Sequence, residues 1–304
     1  LISKFFCKSA LQIDYIIFFK DGLKVRNLET TKKGKKIMGL LIIRLITFLN
    51  SQAPETTNYH IAMTMLANYS NLHLISIGKI AKLCNVSKST ISKFARQLGF
   101  DDYLDLKDNA AFIENRFNNP LNYLSNILTS IETDGFDNYL NAVTTDINFL
   151  RVNLDFDAVD KIAKAINDYD NVAAFGLVFS ESAAIDMQYK LAYNGKFIRT
   201  FQDDVIQEDF LRNAGENTLI IILTNSGDYL TKQQIKLGTP RKDIFSKTKA
   251  KIVVISSNPV VKNFSFVDEA LIFPHQTKYQ THSIMYQIIT DLIVSRYRYF
   301  NSLM

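Results

Sequence analysis

A short run of hydroxyl and cationic side chains carries most of the chemistry legible in this sequence. From Lys88 to Arg96 it reads Lys-Ser-Thr-Ile-Ser-Lys-Phe-Ala-Arg. At helical spacing Ile91, Phe94, Ala95 and Leu98 fall on one face, and Lys88, Ser89, Thr90, Ser92, Lys93 and Arg96 fall on the other. Cations reach phosphates, hydroxyls bond phosphates or base edges, and one Arg or Lys can read guanine. Such a face suits a helix lying in the major groove, with Ser87 at its leading end. Residues 77–98 hold five basic residues and no acidic one. The competing reading is a helical pair inside a bundle, with a solvated basic face.

The flanking residues supply what is needed to hold that helix. Ser76 is placed to cap a preceding helix whose inner face is Ile77, Ile80, Ala81 and Leu83. Asn85 suits a tight turn because it tolerates left-handed backbone angles, and Val86 plugs the angle between the helices. Ser87 caps the second helix and Gly99 ends it. Together these are the parts of a helix-turn-helix.

The rest of the chain must carry a second unit, since 304 residues exceed one average domain. Helical periodicity runs from about 40 to 115, with helices expected at 39–49, 58–69, 77–83, 88–98 and 102–114. Pro120 closes a linker at 116–120, and helices at 121–132 and 136–150 suit a connector or a dimerising pair. From about 155 strand-like runs at 171–175, 196–201, 218–223, 251–256 and 270–273 alternate with helical stretches. That order implies an α/β domain with a mainly parallel five-stranded sheet sandwiched between helices, following an all-α helix-turn-helix domain. Ligands in such sheets bind beyond the carboxyl ends of the strands.

Charge and cysteine usage exclude several alternatives. The net charge is +5, but residues 1–37 contribute +6 and leave −1 for the remainder. Overall basicity is therefore no argument for nucleic acid. Cys7 and Cys84 provide neither a metal spacing nor a disulfide framework. No stretch approaches the length of a membrane span, so the expected setting is cytoplasmic, with no membrane, metal or cofactor. Lys32 to Ile37 just before Met38 is what a purine-rich ribosome-binding site would give if translated. Residues 1–37 are thus expected to be a non-native or disordered extension, the alternative being a basic arm on DNA phosphates.

The segment from Ser76 to Phe100, extended by Tyr103 and Lys107, resembles the RpiR-type bacterial transcriptional regulators. These join an N-terminal helix-turn-helix domain to a C-terminal sugar-isomerase-like (SIS) domain. The resemblance implies a helix-turn-helix domain at 38–115, a helical linker at 116–152 and a SIS effector and dimerisation domain at 153–304. It also implies a homodimer or homotetramer on a double-stranded palindromic operator, a phosphosugar effector, and control of sugar or amino-sugar metabolism.

SIS domains hold sugar phosphate with a glycine-containing turn and a hydroxyl-rich turn, each at the end of a strand. Carried over residue by residue, the ligand-binding set is Gly176 and Ser180 in the first turn and Thr224, Ser226 and Gly227 in the second. Val178 replaces the family's second glycine. Its branched side chain restricts the backbone and the approach of phosphate. Tyr229 stands where Thr or Glu is commoner, and Glu181 and Asp228 would repel a bound phosphate. Three readings follow: a phosphosugar sensor, a sensor of something less anionic, or a domain kept for oligomerisation. An isomerase would need a general base over the sugar carbons, for which His275 and His282 are the only histidines in this half. The intact helix-turn-helix argues against an enzyme.

Overall fold

The computed structural model describes residues 40–110, 123–232, 242–273 and 275–302. The expected extension at 1–37, the linker around Pro120 and the end of the helix expected at 102–114 lie outside them.

Among the described residues the N-terminal half holds five α-helices: α1 (Leu40–Asn50), α2 (Thr57–Ala67), α3 (Ile77–Leu83), α4 (Lys88–Gln97) and α5 (Tyr103–Asp108). Their starts follow local capping chemistry. Thr56, Ser76, Ser87 and Asp102 each sit in extended backbone and accept from a backbone N–H three residues on. Asn85 takes φ 51° in the turn and Gly99 takes φ 84° after α4, as their side chains allow. Leu41, Leu45, Ile61, Met65, Leu72, Ile80, Ile91 and Phe94 are completely or almost completely buried in one core. Phe48 meets Phe94 edge-on at 5.2 Å, and Val86 packs against the same core.

Two antiparallel helices follow, α6 (Tyr123–Asp134) and α7 (Phe136–Asn153), reversing at Gly135 with φ 86°. The α/β half comprises α8 (Phe156–Asp168), β1 (Asn171–Phe175), α9 (Phe179–Ala192), α10 (Asp204–Asn213), β2 (Thr218–Leu223), α11 (Asp228–Thr231), α12 (Ile244–Lys247), β3 (Lys251–Ser256), β4 (Glu269–Ile272) and α13 (His282–Asn301). The sheet is parallel in the order β1-β2-β3-β4, with Ala173 opposite Ile220, Ile221 opposite Val253 and Ile255 opposite Leu271.

Because side chains alternate along a strand, each strand serves two cores. Val172, Ala174, Leu219, Ile221, Val253, Ile255 and Leu271 pack against α8, α9 and α13. Ala173, Phe175, Ile220, Ile222, Ile252 and Val254 face Leu211, Tyr229, Leu230 and Phe245 on α10, α11 and α12. Helices covering both faces explain why these strands read as unbroken apolar runs.

The expectation of five strands is corrected to four among the described residues. Residues 196–201 pair with β1 at one position only, Arg199 beside Ala173. The Ala174 N–H donates to the Arg199 carbonyl and the Arg199 N–H to the Val172 carbonyl, both at 2.9 Å. Only Ile198 of this run is buried, and Phe197 points outward at 79% exposure. One inward side chain gives an edge segment little to hold it in register. This vestigial pairing still has consequences. The chain leaves β1 toward one edge and returns to β2 on the other side, so the strand direction of travel reverses at β1. The crevice beyond the carboxyl ends of β1 and β2 is the topological switch point, where such sheets place ligands.

Candidate nucleic-acid interface and effector site

The outer face of α4 is presented as its residue pattern requires. Ser87, Lys88, Ser89, Lys93 and Arg96 are exposed, and Thr90 and Ser92 are half-buried. The Ser87 hydroxyl accepts from the Thr90 N–H at 3.1 Å and lies 2.7 Å from Ser89 Oγ and 2.8 Å from Thr90 Oγ1. The three hydroxyls thus form one cluster at the leading end of the helix. Gly78 on α3 leaves room beside it: a Cβ there would lie 3.3 Å from Lys88 Cε. Among the described residues no carboxylate pairs with Lys79, Lys82, Lys88, Lys93 or Arg96. The face offers cations and hydroxyls with no internal anion to compete for them.

The two turns expected to bind an effector flank the switch point. In the first, Gly176 is obligatory, since a Cβ there would come within 2.6 Å of the Ser180 carbonyl carbon. Val178 adopts φ 59°, ψ −111°, a region nearly closed to a β-branched residue. It stands at the N-cap of α9 without capping it. Ser180 is buried, and Glu181 is buried in the first turn of α9. Burial pushes the Glu181 carboxyl above its ordinary range, opposed by a hydrogen bond with the Gln202 side chain.

The second turn is held by its own hydroxyls. Thr224 Oγ1 accepts from the Gly227 N–H and Ser226 Oγ from the Asp228 N–H, both at 3.2 Å. Each oxygen therefore keeps its proton to donate. Gly227 takes φ 83°, and a Cβ there would meet Val261 at 3.0 Å. Asp228 pairs with Lys232 at 2.7 Å, which offsets part of its charge. Structure thus brings Gly176, Ser180, Thr224, Ser226 and Gly227 to adjacent strand ends. A cavity of about 530 Å³ lies elsewhere, lined by Asn171, Arg199, Phe201, Phe210, Asn217 and Thr218 near the strand starts.

Residue patterns gave no sign of two polar clusters that frame these turns. The first is centred on α10. Gln207, fully buried, donates to the Gly176 carbonyl at 3.1 Å and accepts from the Tyr229 hydroxyl at 2.6 Å. One turn earlier, Asp204 receives Arg44 of α1, and Arg44 Nη1 also donates to the Leu98 carbonyl at 2.6 Å. Glu208 pairs with Lys242 at 3.1 Å, and the Lys242 ammonium sits 4.0 Å above the Tyr229 ring. Burial pushes Asp204 up, with Arg44 opposing that shift, and pushes Lys242 down against the pull of Glu208.

The second cluster is centred on Asp146 of α7, a nearly solvent-free carboxylate. It accepts from the Gln276 and Thr277 N–H groups at 3.0 Å each, from Thr277 Oγ1 at 2.8 Å and from Thr281 Oγ1 at 2.7 Å. This pins the loop that leads into α13, whose first residue is His282. Despite its burial, Asp146 is held below the usual carboxylate range by these donors. His275 Nδ1 lies 3.6 Å from Asp146 and 3.2 Å from Thr281 Oγ1. The His275 and His282 rings are 6.1 Å apart, and His282 meets Phe179 of α9 edge-on at 6.4 Å. Burial pushes both imidazoles down, His275 against the pull of Asp146 and His282 to about 4, so His282 is neutral at pH 7.

Residues 44–111 match the model for the helix-turn-helix domain of the rpiR family. An uncharacterized HTH-type transcriptional regulator encoded in the aarA 3′ region of Providencia stuartii is 24% identical over 196 residues, covering 63% of this chain and 67% of that protein. A second such regulator, from Clostridium perfringens, is 25% identical over 226 residues, covering 73% and 78%. Among solved structures, the Vibrio vulnificus NanR protein complexed with ManNAc-6P aligns at TM-score 0.44 and 14% identity, over 84% of this chain and 90% of that one. The sugar isomerase domain of an RpiR transcription factor from Sphaerobacter thermophilus aligns at 0.39 and 15%, over 55% and 88%. Over residues 44–111 the chain is thus similar to the helix-turn-helix domain of the rpiR family.

Proposed function

We propose that this chain is a bacterial DNA-binding transcriptional regulator of sugar or amino-sugar metabolism, acting as a homodimer or homotetramer on a double-stranded operator. The observation that carries the reading is the outer face of α4: three cations, a hydroxyl cluster and no paired carboxylate among the described residues. In this reading residues 38–115 bind DNA, 116–152 connect, and 153–304 form a SIS domain that binds a phosphosugar and dimerises. Ser87, Lys88, Ser89, Thr90, Ser92, Lys93 and Arg96 contact DNA. Gly176, Ser180, Thr224, Ser226 and Gly227 contact the effector, the two hydroxyls of the second turn donating to its phosphate.

A second reading keeps the DNA function and assigns the α/β half to oligomerisation alone. It is favoured by Val178, whose strained backbone and side chain occupy the place where a phosphate would approach α9, and by the buried Glu181 beside it.

The test is operator binding by the full chain. Lys93→Ala and Arg96→Ala should each weaken it about tenfold or more, and either one that contacts phosphate should lower the log–log salt slope by about one. Wild-type affinity in both variants would refute this docking mode.

A further inference from the structure

We infer that Arg44 is a positioning residue that ties the pose of the recognition helix α4 to the state of the two effector turns, through α10. The proposal rests on the functional reading above and adds to it a physical route between the two sites.

The route has no gap in its contacts. At one end, Leu98 is the C-cap of α4, where helix-terminal carbonyls lack intrahelical partners and attract cations. Arg44 Nη1 donates to the Leu98 carbonyl at 2.6 Å. The other terminal nitrogen of the same guanidinium pairs with Asp204, the first residue of α10. Arg44 and Asp204 are 7% and 3% exposed, so water cannot replace either partner. At the other end, Gln207 lies on that same first turn of α10. Its amide nitrogen holds the Gly176 carbonyl of the first effector turn, and its amide oxygen holds the Tyr229 hydroxyl directly after the second.

Geometry makes this a linkage rather than a set of separate bonds. A guanidinium is planar and its donors are fixed in a fork, so the Leu98 carbonyl and the Asp204 carboxylate cannot move independently while both stay bonded. Gln207 is likewise a rigid plane, its amide nitrogen donating to the Gly176 carbonyl of the first turn and to the Phe201 carbonyl, and its oxygen accepting from Tyr229 just after the second. When a ligand draws those turns together, Gln207 must follow, and the turn of α10 carrying Asp204 follows with it. Breaking the Arg44 pair would leave a buried charge uncompensated. The displacement is therefore passed to the C-terminal end of α4, which carries Arg96 in its last turn, and along the helix to the remaining DNA-contacting side chains.

The test is a double-mutant cycle in the full chain. Tyr229→Phe removes one hydroxyl on the effector side and touches neither DNA nor Arg44. Arg44→Lys keeps the charge and loses the fork. Two quantities are read on proteins shown by their thermal transitions to be folded: affinity for an operator recovered by selection from genomic fragments, and amide hydrogen exchange of residues 94–100. Tyr229→Phe should change both by about threefold or more with Arg44 in place and leave both unchanged in the Arg44→Lys background. A purely structural role predicts equal effects in the two backgrounds. No effect of Tyr229→Phe at 94–100, or the same effect with lysine at 44, overturns the proposal. Should the wild-type chain select no DNA, the functional reading falls, and the exchange cycle alone decides whether the linkage exists.

Discussion

Glycine at position 178 should make this protein more stable, although the substitution deletes a whole apolar side chain. Val178 sits at φ 59°, ψ −111°, where its Cβ and branched methyls collide with the local backbone. Such conformations cost about 1–3 kcal/mol, and a β-branched residue belongs at the upper end. Against that relief stand two losses. Glycine's freedom in the unfolded chain takes back about 0.4–1 kcal/mol. Val178 is 39% exposed, so its partial burial is worth about 1 kcal/mol of the ~1.5 for a fully buried valine. The balance is a gain of about 1 kcal/mol, or roughly 3 °C in Tm for a unit of this size. Val178→Ala supplies the control: it loses most of the burial and keeps a Cβ at positive φ, so it should destabilise by about 0.5–1 kcal/mol. Urea unfolding of both variants checks the difference in sign. Destabilisation by glycine equal to or greater than that by alanine would refute the strain argument, and with it the claim that this turn is held against its preference.

Stability should fall as the pH is lowered from about 6.5 to about 4. Unfolded His282 gains its proton near 6.5, whereas the folded residue, desolvated by burial, does so only near 4. Its contribution of up to about 3 kcal/mol is thus complete above the upper value, lost through this window and unchanged below it; His282→Gln should flatten the profile measured by thermal melts at each pH. Asp146→Ala removes the acceptor of four hydrogen bonds from the 276–281 loop and should cost about 3 kcal/mol or more in chemical denaturation; a loss below about 1 kcal/mol would show that the loop holds without it. Ser226→Ala should abolish the response of operator binding to sugar phosphate while operator affinity without ligand stays at the wild-type value, since the Ser226 hydroxyl belongs to the proposed phosphate turn and bonds the Asp228 N–H rather than Gln207, Asp204 or Arg44; loss of DNA affinity with an intact response would contradict that role.

Most of the architecture was legible because it rests on local chemistry. Ser76, Ser87, Asn85 and Gly99 each satisfy a backbone requirement within a few residues of themselves, so the helix-turn-helix could be placed from its own segment. The buried strands were equally plain, as sheets covered on both sides demand continuous apolar runs. The run at 196–201 misled for the same reason: its Phe197 and Ile198 look like strand, but whether an edge segment pairs depends on what lies beside it. The two turns were located by resemblance, and Val178 signalled its own strain. What escaped the sequence was long-range. Arg44 reads as an interruption in an apolar helix, because its partners Leu98 and Asp204 are 54 and 160 residues away. Asp146 reads as one more surface acid of an amphipathic helix, because the four donors that bury it lie more than a hundred residues downstream. Polar groups whose satisfaction is tertiary leave no periodic trace.

In the proposed regulator, ligand at the ends of β1 and β2 alters DNA binding at α4. Fluorescence anisotropy of a genome-selected operator, titrated with the full chain against a panel of hexose and amino-hexose phosphates and the corresponding free sugars, tests it most directly. The account predicts that one phosphorylated sugar shifts operator affinity about fivefold or more, a coupling of about 1 kcal/mol, and that its unphosphorylated form does not. An operator bound with the same affinity across the whole panel would contradict it.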